Sequence, residues 1–421
     1  MDKFIIRGGK KLSGELQISG AKNASLALMP ATLLTSGAST LTNTPLLNDV
    51  YTMMKLLKEL GVETSFKKDV LQLNTKNITS QVAPYEHVKK MRASVYVLGP
   101  LLSRFGYAKV SLPGGCAWGP RPINLHLEAL KKMGADIELS EGYIIAKSKR
   151  LNGTNISFDV SSVGATGNTL MAASLAKGTT IINNAAMEPE ITNLAEFLVK
   201  MGSKIEGIGT STLKIEGVDE LKAADIYTIA DRIEAGTILI AAALTKGEVT
   251  IKGIPDVYVS AVITKLSDSG CEIDINVDTI RVKADGKEIT PTSIATSIYP
   301  GFPTDMQAQW TAYMSLANGV STVTDTIYLD RFKHVPELVR LGADITVNEN
   351  SAVIKGVSKL KGAKVMSTDL RASASLVLAG LAAEGTTEVL RVYHLDRGYQ
   401  RIEEKLKALG ADIERVAGAE Y

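Results

Sequence analysis

The stretch LVRLGADITV, residues 338–347, decides the fold because five close copies of it occur elsewhere in the 421-residue chain. Each copy runs from the end of an amphipathic helix through a glycine into an alternating strand, which is the signature of a repeated unit. A glycine at that place suits the left-handed C-cap of a helix. The other copies are LLKELGVETS (56–65), LKKMGADIEL (130–139), LVKMGSKIEG (198–207), KLSDSGCEID (265–274) and LKALGADIER (406–415).

The capping glycines are regularly spaced. Successive spacings are 73, 68, 68, 72 and 68 residues, so a module of about 70 residues occurs six times. The glycines, which number the modules from first to sixth, are Gly61, Gly134, Gly202, Gly270, Gly342 and Gly410.

A second set of glycines ends an apolar run in every module and opens a strand. These runs, such as TLMAASLA and TILIAAALT, are apolar around nearly their whole circumference, which indicates helices buried on all sides. The helix before each capping glycine carries charge and is expected to lie outside. The second set is Gly37, Gly106, Gly178, Gly247, Gly319 and Gly385.

Alternating strands and helices in six βαβαββ modules predict an α/β protein made of two similar domains with three modules each. Buried helices surrounded by sheets and outer helices are expected in both domains. Periodicity alone does not specify which modules share a domain.

Composition excludes several classes of protein. A formal net charge of +2 from well-mixed acids and bases predicts no nucleic-acid partner, and the apolar runs are too short to predict a membrane span. The opening MDKFIIRGGKK lacks the apolar stretch of a signal peptide, so we expect a cytoplasmic protein. Two cysteines and four scattered histidines give no spacing for a metal site or disulfide framework, and we expect neither metal nor other cofactor.

Cys116 breaks the repeat. It lies in PGGCAWGPRPINLH, in the one module whose two glycines are 28 residues apart, whereas the other spacings are 23 to 25. A longer Gly- and Pro-rich loop with a lone thiol and an arginine is typical of a catalytic or binding lid. An incidental thiol on a surface loop is the alternative. Cys271, by contrast, follows a capping glycine where other modules have Ala, so it is interpreted as a small buried residue.

Cations at the starts of buried helices are a second departure from the repeat pattern. Lys22, Arg92 and Arg371 lie near helix N-termini, which attract anions and disfavour cations. An anionic ligand would offset that cost. If the helix starts of both domains face one cleft, the result is an electropositive pocket for phosphate or carboxylate groups.

Acidic residues at the same places have a simpler explanation. Asp231, Asp305 and Asp369 could each be a helix N-cap with no further role. Arg331 and Arg397 lie in the matching strings YLDRF and HLDRG, so a structural origin and a functional one are equally compatible with them.

Several strings resemble the UDP-N-acetylglucosamine 1-carboxyvinyltransferase branch of the enolpyruvyl transferase family over essentially the whole chain. They are SGAKNASL, PGGCAWGPRPINLHLEALKKMGADIE, SVGAT, FPTDMQAQ, DRFKHVPEL, STDLRASASLVLAG and YHLDRGYQRIEEKL. The resemblance implies a two-domain inside-out α/β barrel, with residues 22–229 in one domain and 1–21 plus 230–421 in the other. It also implies that the substrates bind in the cleft between the two domains.

The resemblance further implies an addition followed by an elimination, in which the 3-hydroxyl of UDP-N-acetylglucosamine attacks C2 of phosphoenolpyruvate and phosphate leaves. Cys116 is the implied proton donor to C3 and the implied target of fosfomycin, and Asp305 the base near the sugar hydroxyl; Lys22 and Arg397 are also implied to be catalytic. The implied phosphoenolpyruvate ligands are Lys22, Asn23, Arg121, Arg371 and Arg397. The implied nucleotide-sugar ligands are Arg92, Arg121, Pro122, Ile123, Asn124, Leu125, Ser162, Val163, Gly164, Asp305 and Ile327, with Asp231, Arg331 and Asp369 in support.

Two alternatives remain open from the sequence. The sister enzyme that acts on shikimate 3-phosphate shares the fold but lacks the cysteine loop, and a non-catalytic nucleotide-sugar-binding paralogue would keep the fold without turnover. The chain departs from the common family pattern at Trp118, Pro120, Asn124 and Val160. Its oligomeric state is not predicted.

Overall fold

The computed structural model describes residues 2–89, 91–112 and 123–418. Within these ranges the strands form six four-stranded sheets, one for each predicted module. The chain divides into two compact units, Gly20–Ile229, here called the middle unit, and Met1–Ser19 with Ala230–Tyr421, called the terminal unit. Each unit has its own hydrophobic core. The predicted α/β class and the six modules are confirmed.

The apolar runs form buried helices, as predicted. In the helix Arg232–Leu244, every residue after the first is buried. No helix in the described ranges is long and apolar enough to cross a membrane. The buried helices are Lys22–Ala31, Leu98–Phe105, Val163–Ala173, Arg232–Leu244, Gln307–Met314 and Leu370–Ala382, and the short 3-10 segments Arg92–Val97 and Thr304–Met306 lead into the second and fifth of them.

The charged helices lie outside and end at the capping glycines. All six glycines have φ between 93° and 106°, a left-handed conformation that L-residues with a Cβ rarely adopt. The outer helices are Asn48–Glu59, Asn124–Lys132, Pro189–Lys200, Ser260–Asp268, Val335–Arg340 and Ile402–Ala408; the remaining short helices are Thr32–Leu34, Tyr85–Val88, Asp256–Tyr258 and Val392–Arg397.

In all six sheets the first strand is parallel to a middle strand. In five of them the middle strand pairs antiparallel with one strand of a hairpin, whereas in the sixth Lys3–Arg7 and Asp412–Val416, from the two ends of the chain, take the place of the hairpin. The sheets of the middle unit are, side by side, Ile226–Tyr227, Ala38–Thr42, Val70–Asn74 and Glu63–Lys67; Val82–Ala83, Tyr107–Ser111, Tyr143–Lys147 and Asp136–Ser140; Asn155–Ser157, Thr179–Asn183, Thr212–Glu216 and Lys204–Glu206. Those of the terminal unit are Ser13–Gln17, Glu248–Lys252, Thr279–Lys283 and Glu272–Asn276; Ile294–Ala295, Val320–Thr324, Ser351–Lys355 and Asp344–Asn348; Lys364–Met366, Thr386–Leu390, Lys3–Arg7 and Asp412–Val416.

The start of the chain completes two sheets of the terminal unit. Lys3–Arg7 lies between Thr386–Leu390 and Asp412–Val416, and so supplies the strand that the sixth module lacks at its own end. Ser13–Gln17 pairs with Glu248–Lys252 as the first strand of the fourth module's sheet. Both chain ends therefore belong to one unit.

Candidate active site

Lys22 begins the first buried helix and already has a protein carboxylate nearby. Its Nζ lies 3.6 Å from Asp49 Oδ2, and the Asp49 side chain is only 7% exposed. Asp49 comes from the first turn of the outer helix Asn48–Glu59, where a negative charge is favourable. Asp49 therefore offsets part of the positive charge of Lys22 that an anionic ligand was expected to balance. The neighbouring Asn23 is exposed.

Arg92 opens the second buried helix beside a buried histidine. His126 has its pKa lowered to about 4, chiefly because it is buried and also because the Arg92 charge opposes its protonation. The imidazole is therefore neutral near pH 7.

Asn168 fixes the orientation of the His126 ring. The Asn168 Nδ2 lies 3.0 Å from His126 Nδ1, donates to the Val95 carbonyl at 2.9 Å, and its Oδ1 accepts from Gly99 N at 2.7 Å. These bonds make the amide nitrogen the donor, so Nδ1 is the acceptor and Nε2 carries the proton. Nε2 faces a helix start, since a Cβ built on Gly164 would lie 2.9 Å from it.

The His126 ring brings three predicted nucleotide-sugar segments together. It belongs to the helix that begins at Asn124, it is close enough to Arg92 to be affected by its charge, and it contacts Gly164. Tyr96 adds a link, because its hydroxyl donates to the Val163 carbonyl at 3.3 Å. Arg92, residues 123–125 and residues 162–164 are thus neighbours around one neutral ring.

Asp305 lies between two buried arginines. Its Oδ1 is 2.8 Å from Arg331 Nη2 and its Oδ2 is 2.7 Å from Arg371 Nη2. The arginine side chains are 8% and 5% exposed and that of Asp305 is 27% exposed, so the guanidinium groups are shielded from water while the carboxylate is partly accessible. The alternative of a simple helix cap is wrong for Asp305, because the N-cap residues here are Pro303 and Met306.

Aromatic and hydroxyl groups hold Arg371 in place. Its guanidinium carbon lies 5.4 Å from the centre of the Tyr399 ring, and the Tyr399 hydroxyl is 3.0 Å from Thr237 Oγ1. Burial alone would lower the pKa of Arg371, but Asp305 and other negative neighbours raise it overall. The guanidinium therefore stays charged, and its position is fixed.

The remaining caps behave as the simpler explanation predicts. Ser162, Asp231 and Asp369 each accept hydrogen bonds from the first turns of their helices, at 2.8 to 3.3 Å. For these three residues, helix capping is a sufficient structural role.

Ile327 and Arg397 lie on loops that carboxylates anchor. Ile327 is 40% exposed, and its backbone N–H donates to Asp325 Oδ1 at 3.0 Å. Arg397 ends the segment Val392–Arg397 beside Asp396, whose two oxygens accept from Arg415 at 2.6 and 3.0 Å. Carboxylates therefore anchor both loops at or next to the predicted ligand residues Ile327 and Arg397.

Three predicted site residues, Cys116, Arg121 and Pro122, lie outside the described residues. So do Trp118 and Pro120. Their roles stay predictions.

Two buried histidines near predicted site residues were not predicted from the sequence. His126 and His334 each lie eight residues before a capping glycine, and each is buried. The pKa of His334 is lowered to about 3, first by burial and then by the charge of Arg331. Comparison of the modules would have revealed both histidines, since the other four modules have a buried apolar residue at this position: Met53, Leu194, Val262 and Ile402.

Known proteins match this chain over its whole length. UDP-N-acetylglucosamine 1-carboxyvinyltransferase from Chloroherpeton thalassium is 58% identical over 100% of this chain and 99% of the relative. The proteins of the same name from Chlorobium luteolum and Geotalea daltonii are 57% and 55% identical, over 100% and 99% of this chain and the full length of each relative.

Solved structures share the fold. The enolpyruvyl transferase NikO from Streptomyces tendae superposes with a TM-score of 0.89 at 24% identity, over 99% of both chains. EPSP synthase from Acinetobacter baumannii gives 0.78 at 18% identity, over 99% of this chain and 100% of that one. The family model described as EPSP synthase (3-phosphoshikimate 1-carboxyvinyltransferase) matches residues 6–406. The chain therefore belongs to the enolpyruvyl transferase family defined by that model and, within it, to the UDP-N-acetylglucosamine 1-carboxyvinyltransferases.

Proposed function

We propose that this protein transfers the carboxyvinyl group of phosphoenolpyruvate to the 3-hydroxyl of UDP-N-acetylglucosamine and releases phosphate. The observation that carries the proposal is the 54–58% identity, over 99–100% of the chain, to relatives that bear the name of this activity. We place the reaction in the cytoplasm, as the first committed step of peptidoglycan synthesis. Membership of the family supports small-molecule substrates of this kind.

The proposed phosphoenolpyruvate ligands are cations, because the substrate carries phosphate and carboxylate charges. Lys22, Arg121, Arg371 and Arg397 would bind these groups, with Asn23 nearby. Fixed cations stabilise such charges most where little reorganisation is needed. The guanidinium of Arg371 fits that demand, since its position is set by Asp305 and Tyr399.

The proposed nucleotide-sugar ligands of the middle unit are the segments gathered around His126. Arg92 provides positive charge, and Ser162–Gly164 opens a helix whose N-terminus suits phosphate oxygens. Arg121 and Pro122 are proposed as further ligands, next in sequence to Ile123, Asn124 and Leu125. In the terminal unit, Ile327 would add an exposed apolar contact.

Asp305 is proposed to receive the proton of the sugar 3-hydroxyl. Each of its oxygens is paired with one arginine, and a carboxylate oxygen can accept more than one hydrogen bond. The two guanidinium groups hold the carboxylate in position, so the hydroxyl approaches a fixed acceptor. Asp231, Arg331 and Asp369 support this arrangement through caps and ion pairs.

Cys116 is proposed as the acid that delivers a proton to C3 of phosphoenolpyruvate. A thiol has a pKa of about 8.5 and holds a proton near neutral pH, and the cations proposed as phosphoenolpyruvate ligands would favour the thiolate after transfer. Cys116→Ala is expected to abolish turnover, whereas Cys116→Asp retains a proton-exchanging group and much of the activity. Fosfomycin is expected to add to this thiol, and intact-mass measurement on wild type and Cys116→Ala would detect the adduct.

Phosphate release from phosphoenolpyruvate, measured with purified protein and no added metal, tests the proposal. Release is expected with UDP-N-acetylglucosamine and absent without it. Release with shikimate 3-phosphate instead would transfer the assignment to the sister reaction. Binding of UDP-N-acetylglucosamine without release would identify a non-catalytic paralogue and contradict the proposal.

A further inference from the structure

Asp325 is a fully buried carboxylate that directly follows the middle strand Val320–Thr324 of the fifth module. Two other modules have asparagine at this place: Asn43 follows Ala38–Thr42, and Asn184 follows Thr179–Asn183. The repeat thus provides two matched comparisons for one acidic residue.

Each asparagine ties the end of the middle strand of its own sheet to the end of the first strand. Asn43 Nδ2 donates to the Thr228 carbonyl at 2.8 Å, and Asn184 Nδ2 donates to the Phe158 carbonyl at 2.9 Å. In both modules the acceptor is the residue just after the sheet's first strand. An amide is therefore sufficient at this place, whereas an ionised carboxylate cannot donate and must find donors.

One oxygen of Asp325 collects three donors. Oδ1 accepts from Thr296 Oγ1 at 2.8 Å, from Ile327 N at 3.0 Å and from Tyr328 N at 2.8 Å. Thr296 is the residue just after its sheet's first strand, so this oxygen takes over the tie that the asparagines make. The two backbone bonds fix the loop at Ile327, which the proposed function places against the nucleotide sugar.

The other oxygen leads to Asp305. Oδ2 accepts from Thr304 Oγ1 at 2.7 Å, and Thr304 Oγ1 accepts from Arg331 Nη1 at 2.9 Å. Arg331 then pairs through Nη2 with Asp305 Oδ1 at 2.8 Å. A continuous chain of polar contacts joins the buried carboxylate to the proposed base.

We propose that Asp325 is a positioning residue that sets, at the same time, the Ile327 loop and the Arg331–Asp305 ion pair, and so aligns the sugar hydroxyl with its acceptor. The inference rests on the proposed function. Asp325 touches neither substrate in this assignment and acts only through Thr304, Arg331 and the loop backbone.

The cost of burying this carboxylate supports a specific role. Burial raises the pKa of Asp325, although its hydrogen bonds and Arg331 oppose that rise. Because an amide makes the corresponding tie to the first strand in two sibling modules, that tie alone does not require an acid here.

Two variants separate the two branches of contacts that Asp325 makes, one to the Ile327 loop through Oδ1 and one to the Arg331–Asp305 ion pair through Oδ2. Asp325→Asn keeps one acceptor oxygen for the loop but presents Nδ2 to Thr304, and we expect it to lower kcat about tenfold with little change in the KM for UDP-N-acetylglucosamine. Asp325→Ala removes both branches and is expected to raise that KM about tenfold as well. The KM for phosphoenolpyruvate is expected to stay within about twofold in both variants.

Asn184→Ala is the matched control, because it removes the equivalent tie from the third module. It is expected to lower the melting temperature but to leave kcat and both KM values within about twofold. Wild-type kcat in Asp325→Asn, or an equal loss of kcat in Asn184→Ala, would overturn the inference.

Calorimetric binding of UDP-N-acetylglucosamine separates this inference from the proposed function. If wild type binds the nucleotide sugar without releasing phosphate, the proposed function fails, and weaker binding by Asp325→Ala than by Asn184→Ala still supports the positioning role. Equal binding by these two variants overturns it. If wild type does not bind the nucleotide sugar, both proposals fail.

Discussion

The second module, in the middle unit, and the fifth module, in the terminal unit, share one plan but hold opposite charges at the same place. A 3-10 segment leads into the buried helix in both, with Arg92 in one and Asp305 in the other. Each module also buries a neutral histidine beside an arginine, His126 in the second and His334 in the fifth. The shared fold sets where a group lies, and the local residue decides whether that place suits an anion or a hydroxyl.

The largest expected effect comes from removing one arm of the Asp305 ion pairs. Arg371→Met removes a guanidinium that is only 5% exposed and leaves the partly exposed Asp305 carboxylate with one of its two cations, and we expect a loss of about 3 kcal/mol in the free energy of unfolding. Phosphate release is expected to fall at least about tenfold, because Asp305 loses its fixed position. Urea unfolding and the phosphate assay measure the two effects.

Arg281→Met is the control for that change. Arg281 pairs with Glu248 and Asp274 on the surface of the same unit, and such exposed pairs contribute about 1 kcal/mol or less. If both variants lose the same stability, the burial of the Asp305 ion pairs has no special energetic weight.

The next expected effect is a pH dependence of stability that comes from His126 in the second module. The pKa of His126 is lowered to about 4 in the folded protein, so the unfolded chain binds a proton first as the pH falls. The contribution of the neutral ring is complete above pH of about 6.5 and is lost progressively as the pH falls toward 4, by up to about 3 kcal/mol.

Unfolding free energies of wild type and His126→Leu between pH 7 and pH 4 would measure this loss. The difference between the two proteins is expected to shrink or change sign as the pH falls, since leucine takes up no proton. A constant difference over this range would show that His126 titrates normally in the folded state.

Steric contact at Gly164 gives a smaller effect. A Cβ at this residue would lie 2.9 Å from His126 Nε2, so Gly164→Ala is expected to cost about 1 to 2 kcal/mol and to raise the KM for UDP-N-acetylglucosamine. The double variant Gly164→Ala/His126→Ala should recover part of the stability, because it removes the clashing ring. Additive losses would place the strain elsewhere.

The sequence predicted the parts of the molecule that are local. Capping glycines and apolar runs recur within each module, so the helices, the hairpins and the buried or outer place of each helix follow from periodicity. The strand Lys3–Arg7 could not be placed in this way, since its partners Thr386–Leu390 and Asp412–Val416 lie at the other end of the chain.

The candidate site shows the same difference between features that are local in the sequence and contacts that are not. Lys22, Arg92 and Asp305 could be selected because each stands at a helix start, where charge has a known consequence. Their partners come from distant segments: Asp49 for Lys22, and Arg331 with Arg371 for Asp305. No local pattern specifies such pairs, although comparing equivalent positions of the six modules would have identified His126 and His334.

The smallest predicted effect tests whether the two histidines have the same role. His126 Nδ1 is bonded to Asn168, whereas His334 Nε2 has no hydrogen-bond partner among the described residues. At pH 7, His126→Leu is therefore expected to cost about 1 kcal/mol, and His334→Leu about zero or a slight gain, because it removes an unsatisfied buried polar atom. Leucine occupies the equivalent position in the third module, so both changes restore the residue type of the repeat. Equal costs in urea unfolding would mean that the fifth-module histidine makes a stabilising contact of its own, and the asymmetry between the modules would then be confined to their charges.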